Sequence, residues 1–238
     1  MFGTRIVIGR RAREEAEKPF WISFADLMSA LMVLFLLVMS VALLAVTKNV
    51  TDAERKTAER ESQVAQVLER LGRAAAQYPG IAVDEVRSVI DFGERARFDT
   101  GSSQLTKDQA NALRAFVPEV LAVARDELGR KWIKRIVVEG YADPRGDYLL
   151  NLDLSLKRSQ RVLCALLAPV TASERALTHE EREQVRDLFL VGGYSFNSAK
   201  KTFEESRRIE LRLEFLRLNE VRPIADDAQR GDFGSCRI

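Results

Sequence analysis

Two groups of residues in this chain have types and spacings that suit chemistry. The first is a lone carboxylate, Asp26, at the start of an apolar run in which only Ser29 and Ser40 are polar between Leu27 and Val46. A charge inside hydrocarbon costs at least about 2.5–3.5 kcal/mol near the membrane centre and less toward the interface. Two readings fit. Asp26 snorkels to the interface marked by Pro19 and Trp21, or it is a protonatable site on an ion path with Ser23 and Ser29 beside it. The second group is Asp143, Asn151, Leu154 and Arg158. Asp143 follows Gly140-Tyr141-Ala142 at the end of an expected strand, and Arg158 falls in the first turn of an expected helix. A carboxylate facing a rigid guanidinium fork, with free helix N–H groups nearby, suits a zwitterion: ammonium on Asp143, carboxylate on Arg158. The same spacing also fits a plain salt bridge across a loop.

Composition removes most other chemistry. The 238 residues carry 37 basic and 35 acidic side chains, a net charge of +2, and no basic cluster interleaved with aromatics, so no nucleic-acid partner is expected. A single histidine, His179, and two cysteines, Cys164 and Cys236, cannot build the usual metal-ligand spacings. There is no GxSxG elbow and no glycine-rich phosphate loop, so neither catalysis nor a cofactor is expected. In an oxidising compartment Cys164 and Cys236 are candidates for a disulfide; the alternative is a buried free thiol at Cys164.

These groups need positioning elements. At ~1.5 Å per residue, residues 19–47 form a helix able to cross about 30 Å of hydrocarbon. The tail at 1–18 holds Arg5, Arg10, Arg11, Arg13 and Lys18 against Glu14, Glu15 and Glu17, which favours a cytoplasmic N-terminus. The apolar run is longer than a signal-peptide core and lacks an A-x-A site, so an uncleaved single-pass anchor is expected, with the remainder outside the cytoplasm. Residues 48–80 read as a charged helical linker. Its narrow seam of Val64, Val67, Leu68 and Leu71 suits either pairing with a second copy or a solvated spacer. Tyr78-Pro79-Gly80 ends it.

Residues 81–222 read as an α/β domain, a two-layer α+β sandwich. Strands are expected at Val86–Phe92, at Ile133–Tyr141, through Val191, and at Ile209–Phe215, where apolar and charged residues alternate. Thr106 and Gln109 form a capping box opening a helix toward Leu128, interrupted by Pro118. Further helices are expected at Ser155–Ala168 and Thr178–Phe189, and a loose tail at 223–238.

Phe98-Asp99-Thr100-Gly101-Ser102, Leu105-Thr106, Gly140-Tyr141-Ala142-Asp143, Asn151, Leu154-Ser155, Arg158 and Arg207-Arg208-Ile209-Glu210 together resemble the signature of OmpA-like peptidoglycan-binding domains over about residues 86–216. The resemblance implies that Asp143 and Arg158 hold the two ends of a diaminopimelate head group in the wall peptide, with Asn151, Leu154 and Arg207 at the site. Ala142 stands where that family usually has threonine, and Ser206 where it has asparagine; residues 171–187 are an addition.

The opening stretch, Pro19, Trp21, Ser23, Phe24-Ala25-Asp26-Leu27-Met28 and Leu31-Met32, resembles the membrane helix of MotB-type stator subunits, with related forms in ExbD and TolR. That likeness implies an ion-binding Asp26, a homodimer, and a MotA-like multi-span partner forming a pentamer around the pair, in an inner membrane. The transported ion is expected to be H+. The linker is shorter than in flagellar MotB. The arginine-rich start and the closing Gly-Asp-Phe-Gly-Ser-Cys-Arg are similar to B subunits of Zorya antiphage systems. A flagellar stator and a passive tether from membrane to wall are the alternatives.

Overall fold

The computed structural model describes residues 18–169, 175–222, 233, 234 and 236. The basic tail up to residue 17 and most of the C-terminal tail lie outside the described residues. The chain divides into two compact units, Met1–Thr57 and Ala58–Ile238.

The first helix, α1, runs from Lys18 to Ala75. In the first unit every residue from Trp21 onward is exposed, including Phe24, Leu31, Phe35 and Leu44. It is the one helix among the described residues long and apolar enough to cross a membrane. Two hydroxyls in this stretch are satisfied within the helix: Ser29 Oγ donates to the Ala25 carbonyl at 2.8 Å and Ser40 Oγ to Leu36 at 2.7 Å. Such back-bonding lets a serine sit in an apolar environment without an orphaned donor.

In the second unit a five-stranded mixed sheet has the order β1-β2-β5-β3-β4. Its strands are β1 (Ala82–Asp84), β2 (Val89–Asp91), β3 (Ile133–Gly140), β4 (Phe189–Gly193) and β5 (Ile209–Phe215). All neighbours pair antiparallel except β3 with β4, which is parallel. The helices α2 (Lys107–Arg125), α3 (Glu127–Trp132), α4 (Tyr148–Leu167), α5 (His179–Leu188) and α6 (Phe203–Ser206) complete the domain. Period-two alternation in β5 sends Ile209, Leu211 and Leu213 into the core, where they meet Leu113, Phe116 and Val120 of α2 and Val162 and Leu166 of α4.

Four expectations are corrected. The seam on α1 is neither a free spacer nor a pairing surface: Val67 and Leu71 are fully buried in the domain core beside Ala75. Burial against an existing core removes apolar surface from water without a second chain. The strand expected at Val86–Phe92 is a β1–β2 hairpin, with Val86 96% exposed at the turn. There Asp84 Oδ1 accepts the Arg87 N–H at 3.0 Å and Ser88 takes a positive φ of 55°. The helix expected to reach Leu128 stops at Arg125, because Asp126 caps a new helix by accepting the Gly129 N–H at 2.8 Å. The fourth concerns the helix holding Arg158. It begins at Tyr148 rather than Ser155, after Gly146 turns the chain with φ of 88°. The two capping boxes, Thr106 with Gln109 and Thr178 with Glu181, open α2 and α5.

Candidate functional site

The β3–β5 ladder places the candidate residues. Gly140 pairs with Ile209, and beyond it the Tyr141 N–H donates to the Arg208 carbonyl at 3.0 Å. The chain leaving β3 and the chain entering β5 therefore stay adjacent for one more step. This carries Asp143 to Arg207, whose Nη1 donates to Asp143 Oδ2 at 3.1 Å. Glycine is required where α4 crosses these strand ends. A methyl group on Gly140 would land on the Ser155 carbonyl, and one on Gly193 would lie 2.8 Å from the Leu156 nitrogen. Ser155 locks the crossing: its Oγ donates to Leu152 O at 2.8 Å and accepts the Ser195 N–H at 3.0 Å.

Asp143 is held on three sides. The Arg145 backbone N–H donates to Oδ1 at 3.1 Å, its Nε to Oδ1 at 3.0 Å and its Nη2 to Oδ2 at 2.7 Å, while Arg207 covers the inner side. Hydrogen bonds from the Arg145 side chain, joined by those from Arg207, hold the Asp143 carboxyl well below the usual carboxylate range against the opposing effect of burial. Arg207 also donates from Nε to Phe98 O at 2.9 Å and from Nη2 to Glu204 at 3.4 Å. Asn151, buried on α4, donates from Nδ2 to the Arg145 carbonyl at 2.8 Å and so braces the Asp143–Gly146 turn. Leu154 lies half-buried on the same helix.

Arg158 sits differently from expectation. It lies about three turns into α4, away from the helix's free N–H groups. It is fully buried and donates once from each nitrogen to a backbone carbonyl: Nε to Ser102 at 2.9 Å, Nη1 to Tyr141 at 2.7 Å and Nη2 to Asp99 at 3.1 Å. Its guanidinium lies 5.0 Å from the centre of the Phe98 ring. Burial, then the nearby charge of Arg207, pulls its pKa down to about 10, while Asp143 acts the other way. Arg158 thus ties the Asp99–Ser102 turn to the end of β3 and makes no ion pair with Asp143. The salt-bridge alternative for that pair is corrected with it; the carboxylate's partners are Arg145 and Arg207.

Sequence reasoning passed over Arg145. The available signal was its place two residues after an aspartate in Asp-Pro-Arg-Gly, the spacing of an Asx turn. It also passed over the ionic network on the other face of the sheet. There Glu139 and Glu210 stand directly opposite one another on β3 and β5, both with no exposure. Like charges in that position repel, and each carboxylate has its own cations. Arg212 Nη2 donates to Glu139 at 2.9 Å and the Tyr141 hydroxyl at 2.7 Å, while Arg87 and Arg208 each reach Glu210 at 2.7 Å. Burial opposes the Glu139 charge, yet Arg212 and the tyrosine hydroxyls outweigh it and lower its pKa.

A cleft of about 700 Å³ opens beside the Arg207–Arg208 segment, with Asp91, Arg97, Lys200, Lys201, Glu205 and Arg208 among its walls. Lys200 is committed there to Asp91 and Glu210.

Near the C-terminus Cys164 on α4 is bonded to Cys236, with Cα atoms 5.9 Å apart.

Comparison with known proteins adds identity to this geometry. The chain is 44% identical over 228 residues to the Zorya protein ZorB of Escherichia coli O139:H28 (strain E24377A / ETEC), covering 95% of this chain and 93% of that protein. The chain belongs to the ZorB family. Residues 9–50, which include Asp26, match the family described as membrane MotB of the proton-channel complex MotA/MotB. Two solved structures are similar to parts of this ZorB-family chain. The periplasmic domain of Helicobacter pylori MotB is 12% identical with a TM-score of 0.41, over 59% of this chain and 83% of that one. The cell wall anchor of the T6SS from Pseudomonas aeruginosa is 19% identical with a TM-score of 0.39, over 60% and 94%.

Proposed function

We propose that this chain is the wall-anchored B subunit of a proton-driven membrane motor that serves antiphage defence together with a MotA-like A subunit. The observation that carries the reading is the 44% identity to a Zorya ZorB protein across nearly the whole chain, with Asp26 inside the segment that matches membrane MotB. The same identity favours defence over a flagellar role. Two copies of α1 would cross the inner membrane from a cytoplasmic N-terminus, inside a pentameric ring of A subunits.

Asp26 is exposed on α1 and has no hydrogen-bond or ion-pair partner among the described residues, so its carboxylate is free to exchange an ion. Ser23 and Ser29 are its nearest hydroxyls by helical spacing. Ser29 already spends its hydrogen on Ala25, which leaves oxygen lone pairs but no full coordination shell for a metal cation. That scarcity favours H+ over Na+. One elementary charge crossing about 100 mV supplies roughly 2.3 kcal/mol for each step.

Torque also needs a fixed point. The outer domain supplies one by binding diaminopimelate-containing stem peptide of peptidoglycan at the Asp143 site. Arg207 and Asn151 shape that site, Leu154 flanks it, and Arg158 holds its wall in place.

The test is Asp26→Asn in chain co-produced with its A subunit, read as proton flux in proteoliposomes and as plaque counts in cells. The variant is expected to assemble normally, lose flux and lose protection. Normal flux and protection would overturn the motor reading and leave a passive tether.

A further inference from the structure

Arg145 covers the solvent side of Asp143, where the wall-binding reading puts a ligand's ammonium. Its guanidinium makes two side-chain hydrogen bonds to Asp143, on Oδ1 and Oδ2, and a third to Thr100 Oγ1 at 3.3 Å. Of the arginines around this carboxylate it is the one open to solvent. Its side chain is 48% exposed, against 10% for Arg207, while Arg158 is fully buried. A cation reaching Asp143 from solvent therefore meets Arg145 first.

The surroundings allow Arg145 to yield without leaving. Its guanidinium lies 4.7 Å from the centre of the half-exposed Phe203 ring, and its backbone N–H remains bonded to Asp143 Oδ1. A ligand ammonium that takes over the carboxylate frees a planar fork of donors, still held over an aromatic face, within one side chain of the new ion pair. Such a fork binds a carboxylate in bidentate fashion. Arg158 is anchored where it lies, because each of its three nitrogens donates once to a carbonyl, of Ser102, Tyr141 and Asp99.

We propose that Arg145 is a specificity-determining residue of the outer-domain site, an internal competitor for Asp143 that becomes the carboxylate clamp once a ligand ammonium displaces it. The proposal deepens the wall-binding reading and rests on it. The exchange makes the site selective for ligands with an ammonium and a carboxylate on the same carbon. An ammonium alone must break the Arg145–Asp143 pair and leaves the guanidinium uncompensated. A carboxylate alone finds the guanidinium already taken.

Stem peptides separate these cases. The third residue's side chain ends in an ammonium and a carboxylate on one carbon in L-Ala-γ-D-Glu-meso-diaminopimelate, and in the ammonium alone in the L-lysine counterpart, while both peptides share the same C-terminal carboxylate. Full-length chain in detergent micelles would be titrated with both peptides by calorimetry and tested for retention on purified diaminopimelate-type sacculi. Wild type is expected to prefer the diaminopimelate peptide by about 10-fold or more, the range of one charge-assisted pair. In Arg145→Ala that preference should collapse, with the diaminopimelate peptide bound more weakly and the lysine peptide bound as well as before or better. Phe203→Ala, which removes the platform and keeps the charge, should shrink the preference in the same direction. Wild type that binds sacculi while Arg145→Ala keeps the wild-type preference overturns the Arg145 proposal alone. Wild type that binds neither sacculi nor peptide overturns the wall-binding reading and this proposal with it.

Discussion

Leu71→Ala tests whether the end of α1 belongs to the outer domain. Leu71 has no exposure and joins the same core as Phe116 and Ile90. Truncating a fully buried leucine costs about 2.7–5 kcal/mol, combining lost transfer free energy with the cavity left behind. The unit Ala58–Ile238 is in the size range where 1 kcal/mol shifts the melting temperature by about 2–4 °C. A mid-range cost of about 3.5 kcal/mol therefore predicts a drop of roughly 7–14 °C in the domain transition. Near-ultraviolet circular dichroism of the full chain in detergent would follow it. The comparison is Leu44→Ala, in the exposed apolar stretch, which should leave that transition in place. Protein concentration gives the second axis. Burial within one chain makes the loss independent of concentration, whereas a seam shared between copies makes it concentration-dependent. An unchanged transition, or one that moves with concentration, would refute the assignment of this segment to the core.

Two further expectations follow from a buried carboxylate and from the disulfide. The folded-state pKa of Glu139 is lowered, so its contribution to stability is present above the unfolded value of about 4.3 and is lost as pH falls through the folded value. Melting temperature should decline in acid, and Glu139→Gln should be less stable near neutral pH with a shallower decline below about pH 4; parallel curves would show that Glu139 is not responsible. The Cys164–Cys236 bond closes a loop across a sequence separation of 72 residues, worth about 4 kcal/mol in the chain-entropy model. Reduction, or the double replacement by serine, should lower the domain transition equally. A count of two free thiols in unfolded, unreduced protein would remove the bond from the account.

Much of the architecture was legible because it rests on local rules. The apolar run carrying Asp26 announces a membrane helix through length and composition alone. The Thr106 capping box marks a helix start because the bonds it makes close within four residues. Period-two alternation at Ile209, Leu211 and Leu213 defines a half-buried strand without reference to its neighbours. Asp143 and Arg207 were singled out by a resemblance in motif order, and the β3–β5 register brings them within a hydrogen bond.

Other features depend on partners distant in sequence. A seam such as Val67–Leu71 reads the same whether it faces a second helix, water or its own domain, and only the tertiary core decides which surface covers it. Arg158 looked available because spacing cannot reveal that the Asp99–Ser102 turn, more than fifty residues away, uses its donors. Val86 lost its strand to a turn in which the Asp84 side chain accepts the Arg87 N–H. The sequence alone determined a carboxylate within a long apolar helix and a charged cluster beyond β3, since hydropathy and motif order are properties of the chain. The tertiary structure decided that Arg145 and Arg207 are the guanidiniums paired with Asp143, while Arg158 bonds backbone carbonyls. Which donors remain uncommitted depends on where every other carbonyl and carboxylate finally lies.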